Sequence, residues 1–143
     1  MSDKMRGRKE AQDMAWRNYR PKAGNKYGAK KIELDGLVFD SKKEANRWRE
    51  LQLLQRAGEI SELERQRRFL LIPTQREPDT IGARGGIHKG RTIEHAVYYV
   101  ADFVYRDKAG AIIVEDTKGM KTKDYIIKRK LMLFFHGIRI TEV

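Results

Sequence analysis

Apolar residues recur along the chain with two different periods, which predict helices and strands. Helical spacing extends over about residues 41 to 57, where Ser41 is a suitable N-cap, and again over about 122 to 136. Shorter apolar runs predict strands at 66–72, 96–106, 111–118 and 138–142. The two central strands are apolar on both faces, so helices are expected to cover both sides of the sheet. The order α-β-β-β-α-β predicts an α/β fold, with a mixed central sheet flanked by helices.

Turn residues and aromatic residues refine this outline. Asp35-Gly36 lies between two short apolar stretches, which predicts a hairpin ahead of the first helix. The segment from residue 74 to 91 is rich in glycine and carries Pro78, and is either a long flexible loop or a loose hairpin extension. Several aromatic side chains have the periodicity of core residues and are predicted to be buried: Trp48, Phe103, Tyr105, Phe134 and Phe135.

The charge of the chain limits its partners. The formal net charge is +11, and residues 1 to 31 contribute ten Lys or Arg against three acids. A surface of this sign favours nucleic acid or an anionic membrane. We therefore divide the chain into a basic N-terminal arm at residues 1–31, which either tracks phosphates or is a disordered leader, and one domain at residues 32–143.

The sequence lacks cysteine and long apolar runs, and these two absences exclude several classes of protein. With no cysteine, thiolate zinc sites, disulfides and cysteine nucleophiles are excluded. No apolar run approaches the ~18 residues of a membrane span, and the N-terminus lacks the apolar region of a signal peptide. The expectation is a soluble, cytoplasmic protein without membrane attachment.

The strand pair 96–106 and 111–118 carries the candidate chemistry. A three-residue turn at 108–110, with Gly110 in the left-handed conformation, would place Asp102 opposite Asp116. Directly opposed acids repel each other, so a positive charge is required between them. Because side chains alternate along a strand, Lys118 is predicted to share the face of Asp116, while Glu115 and Thr117 point to the other face.

A divalent cation neutralises the two negative charges of Asp102 and Asp116 better than a single ion pair does. Mg²⁺ takes oxygen ligands from one or two carboxylates and completes its shell with water and phosphate oxygens, and Mn²⁺ is a suitable substitute. Asp102 and Asp116 are the predicted ligands, and Lys118 would orient the attacking water. Two alternatives stay open: Lys118 balances one acid in a buried ion cluster, or a two-residue turn brings Glu115 opposite Asp102 instead.

The same residues resemble a known nuclease pattern. Asp102, thirteen intervening residues and then Asp116-Thr117-Lys118 resemble the PD-(D/E)XK nuclease superfamily, although Ala101 stands where its proline would be. The stretches DGLVFDSKKEANRW, YVADFVY and VEDTKG also resemble an uncharacterised phage-borne domain family related to RecU-type Holliday-junction resolvases, over about residues 25 to 143. The resemblance implies a restriction-endonuclease-like αβββαβ core and cleavage of branched DNA during phage recombination or packaging.

Further residue roles follow from this resemblance. It implies that Glu44, on the first helix, assists metal binding, whereas the local sequence equally allows a capping box with the Ser41 amide. It also implies that the glycine-rich segment with Arg84, Lys89 and Arg91 clamps DNA, and that the protein is a homodimer with two active sites.

Phosphate binding is predicted at a second place, the start of the last helix. Free backbone amides and the helix dipole favour an anion there, and Lys121 and Lys123 would reinforce it. The resulting hypothesis is a Mg²⁺-dependent endodeoxyribonuclease. The alternatives are a nuclease of ordinary duplex DNA and a non-catalytic DNA-binding module.

Overall fold

The computed structural model describes residues 30–143, so the predicted basic arm lies, except for its last two residues, outside the described part of the chain. The elements follow in this order: β1 Ile32–Leu34, β2 Leu37–Phe39, α1 Lys42–Arg56, β3 Ser61–Ile72, β4 Gln75–Arg76, β5 Thr80–Ile81, β6 Ile87–His88, β7 Thr92–Glu94, β8 Val97–Arg106, β9 Ile112–Asp116, α2 Lys123–His136 and β10 Thr141–Glu142.

A four-stranded mixed sheet forms the centre of residues 30–143. Its strand order is β10-β9-β8-β3, in which β10 is parallel to β9 and the other neighbours are antiparallel. Along the chain, the two helices and these four strands follow in the order α1-β3-β8-β9-α2-β10. The predicted α/β class, mixed sheet and element order are therefore confirmed.

Each helix packs on its own hydrophobic core. On α1, Leu51 packs with Ile60 and Phe103, and the Trp48 ring stacks on that of Phe103 at 5.9 Å between centroids. On α2, Tyr125 and Met132 join a larger cluster from β3, β8, β9 and the segment before β10: Phe69, Leu71, Tyr99, Ala101, Val104, Val114 and Ile140. Helices cover both faces because β8 and β9 supply apolar side chains to both.

The helix ends agree with their sequence signals to within a residue. Ser41 caps α1, its hydroxyl accepting from the Glu44 amide at 3.1 Å. Thr122 caps α2 in the same way, and Gly137 ends that helix with a φ of 65°. The Asp35-Gly36 turn joins β1 to β2, as predicted.

Three strand boundaries and two core assignments were wrong. β3 begins at Ser61 rather than 66, because its charged first half pairs with β8 and Glu62 contacts Arg106 at 2.9 Å. β9 ends at Asp116, before Lys118. The last strand has only two residues, because the Ile138 amide still closes α2 by donating to the Met132 carbonyl. Phe134 and Phe135, which were predicted to be buried, are 80 % and 54 % exposed.

Residues 73–96 form a hairpin extension between β3 and β8, which we call the basic hairpin. Two short ladders hold it together, β4 with β7 and β5 with β6. Its strands approach each other closely at Gly90, where an added Cβ would lie 1.7 Å from the Glu77 carbonyl oxygen. Of the two forms that the sequence allowed, the structure has the hairpin rather than the irregular loop.

The regular alternation of side chains between the two faces of the sheet is interrupted within β3 and β8. Ala101 belongs to the α2 core and Phe103 to the α1 core, although residues two apart in a regular strand share one face. The change occurs at Asp102, between the pairs Arg65–Phe103 and Arg67–Ala101, and the facing Gln66 has a φ of 53°. This irregularity decides which side chains meet at Asp102.

In the part of the chain that the structure describes, no helix is long and apolar enough to cross a membrane.

Candidate functional site

Asp102 and Asp116 lie side by side on neighbouring strands. The β8–β9 ladder pairs Phe103 with Glu115, and one further step along it brings Asp102 opposite Asp116. Gly110 has a φ of 83°, and the Asp107 amide donates to the Ala111 carbonyl at 3.0 Å, which closes the three-residue turn. The register predicted from the turn is therefore the register observed.

Protein donors hold one oxygen of each acid. Asp102 Oδ2 accepts from the Thr117 amide at 2.7 Å and from the Thr117 hydroxyl at 2.8 Å. Asp116 Oδ2 accepts from the Tyr99 hydroxyl at 2.8 Å. The other oxygen of Asp116, Oδ1, is buried without a hydrogen-bond partner among the described residues. A buried acceptor of this kind carries a desolvation cost unless another positive group reaches it.

The electrostatic environment of Asp116 is unfavourable for its negative charge. The side chain is fully buried, and this burial raises its pKa. The nearby Asp102 carboxylate raises the pKa further, whereas the Tyr99 hydroxyl and the Lys118 ammonium partly oppose the shift. The site therefore holds more negative charge than its own cation balances.

Lys118 lies just beyond the end of β9 and is the cation nearest to Asp116 among the described residues. Its Nζ atom is 3.5 Å from Asp116 Oδ1, close enough for an ion pair but without a hydrogen bond. The same ammonium lies 5.6 Å from the centre of the Tyr125 ring. Since 40 % of the Lys118 side chain is exposed, it reaches both the buried acid and solvent.

Glu44 is buried near Asp102, and its carboxylate already accepts hydrogen bonds from other protein groups. The Asp40 amide donates to Oε2 at 2.9 Å, and the Gln66 side-chain amide donates to Oε1 at 3.4 Å. Burial raises the pKa of Glu44, and the charge of Asp102 adds to that increase. The capping box is thus formed one residue earlier than expected, with the Asp40 amide in place of the Ser41 amide.

Glu115 points to the opposite face of the sheet. Its carboxylate accepts from Arg47 of α1 at 2.7 and 2.9 Å and from the Tyr105 hydroxyl at 2.6 Å. This fork of two hydrogen bonds neutralises the buried acid. The alternative register, in which Glu115 faces Asp102, is wrong for this fold.

The donors at Asp102 and Asp116 fit a hard divalent cation. Two carboxylates, one of them with an unpartnered buried oxygen, provide the oxygen ligands that Mg²⁺ and Mn²⁺ prefer. Within residues 30–143, no three Asp, Glu or His side chains converge into a metal cage, and Glu44 does not complete one. Mg²⁺ commonly uses only one or two protein carboxylates, so the pair alone is compatible with such an ion.

The predicted DNA-binding cations have different surroundings. Lys121 forms an ion pair with Glu142, and Arg91 forms one with Glu77 at 3.0 Å. Arg84 and Lys89 are exposed on the basic hairpin, and Lys123 is exposed at the first turn of α2. A cleft of about 290 Å³ opens beside Lys118, and its wall includes Lys128 and Tyr99 but neither Lys121 nor Lys123.

Three polar residues of the site were not foreseen from the sequence. Thr117 was predicted to point away from the acids, yet it holds Asp102 because β9 ends before it. Tyr99 was overlooked because strict alternation places it on the face opposite Asp102. Gln66 carries no sequence signal beyond its place at the start of the predicted strand.

Comparison with known proteins gives a family and no further relative. The family described as "Protein of unknown function (DUF1064)" matches residues 24–141, so the chain belongs to that family. No curated protein and no solved structure matches the chain.

Proposed function

We propose that this member of a family without an assigned activity is a metal-dependent endodeoxyribonuclease, which hydrolyses phosphodiester bonds at Asp102, Asp116 and Lys118. One observation carries the proposal: Asp116 Oδ1 is buried without a hydrogen-bond partner among the described residues, beside a second acid and a lysine. A structural ion pair would leave one negative charge of this group uncompensated.

Asp102 and Asp116 would hold the cation, Mg²⁺ or Mn²⁺. When bound, such an ion polarises a phosphoryl oxygen and lowers the pKa of a coordinated water. Thr117 binds Asp102 Oδ2 through its amide and its hydroxyl, which fixes the orientation of this acid. Asp102 therefore needs little reorganisation on binding a cation.

Lys118 is the residue that acts directly on the reacting groups. Its ammonium is partly exposed and lies beside the buried acid, so it is able to donate a hydrogen bond to the attacking water or to a phosphate oxygen. Hydrolysis joins the water oxygen to phosphorus and breaks the bond to one sugar oxygen, which takes up a proton. The positive charge of Lys118 stabilises the negative charge that grows on phosphorus oxygens during this step.

The acids themselves argue against a module that only binds DNA. Two carboxylates directed at a phosphate would repel it without a metal ion between them. The surrounding cations supply the attraction for the DNA backbone: Lys128 in the cleft, Lys123 at the start of α2, and Arg84 and Lys89 on the basic hairpin.

The finer parts of the proposal come from the resemblance to PD-(D/E)XK and RecU-like nucleases. We place the α1-β3-β8-β9-α2-β10 unit with the restriction-endonuclease-like core, and we propose branched DNA of Holliday-junction type as the substrate. A homodimer follows from the need to cut two strands symmetrically.

A cleavage assay with a matched pair of variants tests the proposal. Wild type, Asp116→Asn and Asp107→Asn are incubated with a labelled four-way junction, duplex and single strand, in Mg²⁺ or in chelator. Asp107 lies in the exposed turn of the same hairpin and accepts a hydrogen bond from the Ala111 amide that asparagine can also accept. We expect Mg²⁺-dependent cleavage by wild type and Asp107→Asn, strongest on the junction, and none by Asp116→Asn.

Two outcomes would redirect the proposal. Binding of DNA without cleavage of any substrate in Mg²⁺ or Mn²⁺ would identify a DNA-binding module. Equal cleavage of junction and duplex would keep the nuclease and remove the preference for branched DNA.

A further inference from the structure

Tyr99 makes a buried contact with the candidate site that no part of the proposed chemistry uses directly. The side chain is only 3 % exposed, and its hydroxyl lies 2.8 Å from Asp116 Oδ2. Because an ionised carboxylate has no proton to donate, the hydroxyl is the donor in this bond. Tyr99 therefore holds the oxygen of Asp116 that does not face Lys118.

The change of sheet face at Asp102 makes this contact possible. Tyr99 and Asp102 are three residues apart on β8 and would point to opposite faces of a regular strand. Instead, Tyr99 packs in the α2 core with Phe69, at 6.3 Å between ring centres, and both Tyr99 and Asp102 approach Asp116. The irregular strand thus brings a rigid aromatic donor to the site.

We propose that Tyr99 is a positioning residue of the metal site: its hydroxyl holds Asp116 Oδ2, which leaves Oδ1 free of hydrogen bonds from residues 30–143 and available as the oxygen that would bind the cation. This inference rests on the proposed function. The terminal torsion of an aspartate is broad, so a carboxylate without an anchor samples many orientations. Loss of a group that orients a metal ligand commonly lowers metal affinity 10- to 100-fold.

Tyr105 provides a matched control on the other face of the same two strands. It is also buried, and its hydroxyl donates to the neighbouring acid, Glu115, at 2.6 Å. Tyr99→Phe and Tyr105→Phe therefore each remove one hydroxyl from a buried carboxylate of β9. Only Tyr99→Phe affects the acid assigned to the metal.

The principal test measures Mn²⁺ binding directly, by electron paramagnetic resonance of free Mn²⁺ in titrations of the full chain. We expect wild type and Tyr105→Phe to bind Mn²⁺ with the same affinity, and Tyr99→Phe to bind roughly tenfold more weakly. In the cleavage assay, Tyr99→Phe should need more Mg²⁺ for half-maximal rate and approach the wild-type rate at saturation. A general loss of folding would instead lower the rate at every Mg²⁺ concentration.

A measurement on the wild-type chain covers the case in which Tyr99→Phe does not fold. With tyrosine labelled at the ζ carbon, the resonance of Tyr99 should shift when Mg²⁺ is added, while that of Tyr105 stays constant. Tyr125 is buried as well, so Tyr105→Phe and Tyr125→Phe assign the resonances of those two tyrosines, and the remaining buried signal among the described residues is that of Tyr99.

The outcomes separate this inference from the function on which it rests. If wild type binds Mn²⁺ and cleaves DNA but Tyr99→Phe binds Mn²⁺ within twofold of wild type, Tyr99 has no positioning role. The same conclusion follows if both tyrosine variants lose affinity equally, or if both resonances shift alike. If wild type binds no Mn²⁺, the metal site and the role of Tyr99 are overturned together.

Discussion

Gln66 of β3 faces Asp102 of β8, and at this point Gln66 has a φ of 53°, a left-handed conformation that β3 otherwise contains only at Glu62. Residues other than glycine rarely adopt this left-handed conformation, and they do so at a cost. Here the conformation coincides with the change of sheet face and with the hydrogen bond from Gln66 to Glu44 at 3.4 Å. Strain of this type is often found where a functional site depends on it.

Substitutions at Gln66 should separate the backbone cost from the side-chain contact. Gln66→Gly and Gln66→Val both remove the hydrogen bond to Glu44, but only valine, a β-branched residue, is disfavoured at positive φ. We expect the free energy of unfolding of Gln66→Val to be about 1 kcal/mol below that of Gln66→Gly. Urea denaturation measures this difference, and equal stabilities would show that the left-handed conformation is not required.

The buried pair of Arg47 and Glu115 should be sensitive to the loss of one partner. Arg47→Met leaves the Glu115 carboxylate, 2 % exposed, without its cation. We expect the free energy of unfolding to fall by about 3 kcal/mol, because an uncompensated buried charge is costly. Glu50→Gln, which removes the exposed partner of Arg47, should change it by less than about 1 kcal/mol. A comparable loss in both variants would contradict a specific role for the buried pair.

Glu142 should make the fold sensitive to acid. Lys121 and then Arg129 lower its pKa from the ordinary 4.5 to about 2. Since the pKa is lower in the folded state, Glu142 stabilises the fold above pH 4.5, and this contribution disappears as the pH falls from 4.5 to 2. The melting temperatures of wild type and Glu142→Gln should therefore converge over this interval. A difference that stays constant with pH would contradict the assignment.

Glu142→Gln should also alter DNA binding, because it releases Lys121 and Arg129 from their ion pairs. We expect a higher affinity for DNA and a steeper dependence on salt, by about one phosphate contact for each released cation that reaches the DNA. Fluorescence anisotropy with a labelled junction in chelator measures both quantities without cleavage. An unchanged salt dependence would place both Lys121 and Arg129 away from the DNA.

The basic hairpin should contribute binding without contributing chemistry. Changing both Arg84 and Lys89 to alanine removes two exposed cations, so the slope of log affinity against log salt should fall by roughly 1.8. The cleavage rate at saturating DNA should stay close to that of wild type. Lys108→Ala, at the exposed turn between β8 and β9, is a matched control that should leave the slope unchanged.

The sequence predicted those parts of the site that depend on local rules. Gly110 and the turn length give the β8–β9 register, and that register alone brings Asp102 beside Asp116. Ser41 likewise marks the start of α1 through its side-chain hydroxyl, which accepts from the Glu44 amide three residues later. In these cases the information lies within a few neighbouring residues.

The contacts that were missed depend on long-range geometry. Tyr99 reaches Asp116 only because the side chains of β8 do not alternate regularly between the two faces of the sheet. No residue near Tyr99 predicts this irregularity from the sequence. The charged first half of β3 shows no apolar period, since its pairing is supported by ions such as Glu62 and Arg106. Phe134 and Phe135 follow a helical period, but α2 has more apolar positions than one sheet face can cover.

Gly90 allows the two sides of the basic hairpin to lie in close contact. Its backbone and that of Glu77 touch with no room for a methyl group, so any larger residue must push the two strands apart. Arg84, near the tip, and Lys89, beside Gly90, are both exposed on the same hairpin. A substitution of Gly90 is therefore expected to separate the two sides of the hairpin, whereas substitutions of the exposed Arg84 and Lys89 leave this backbone contact in place.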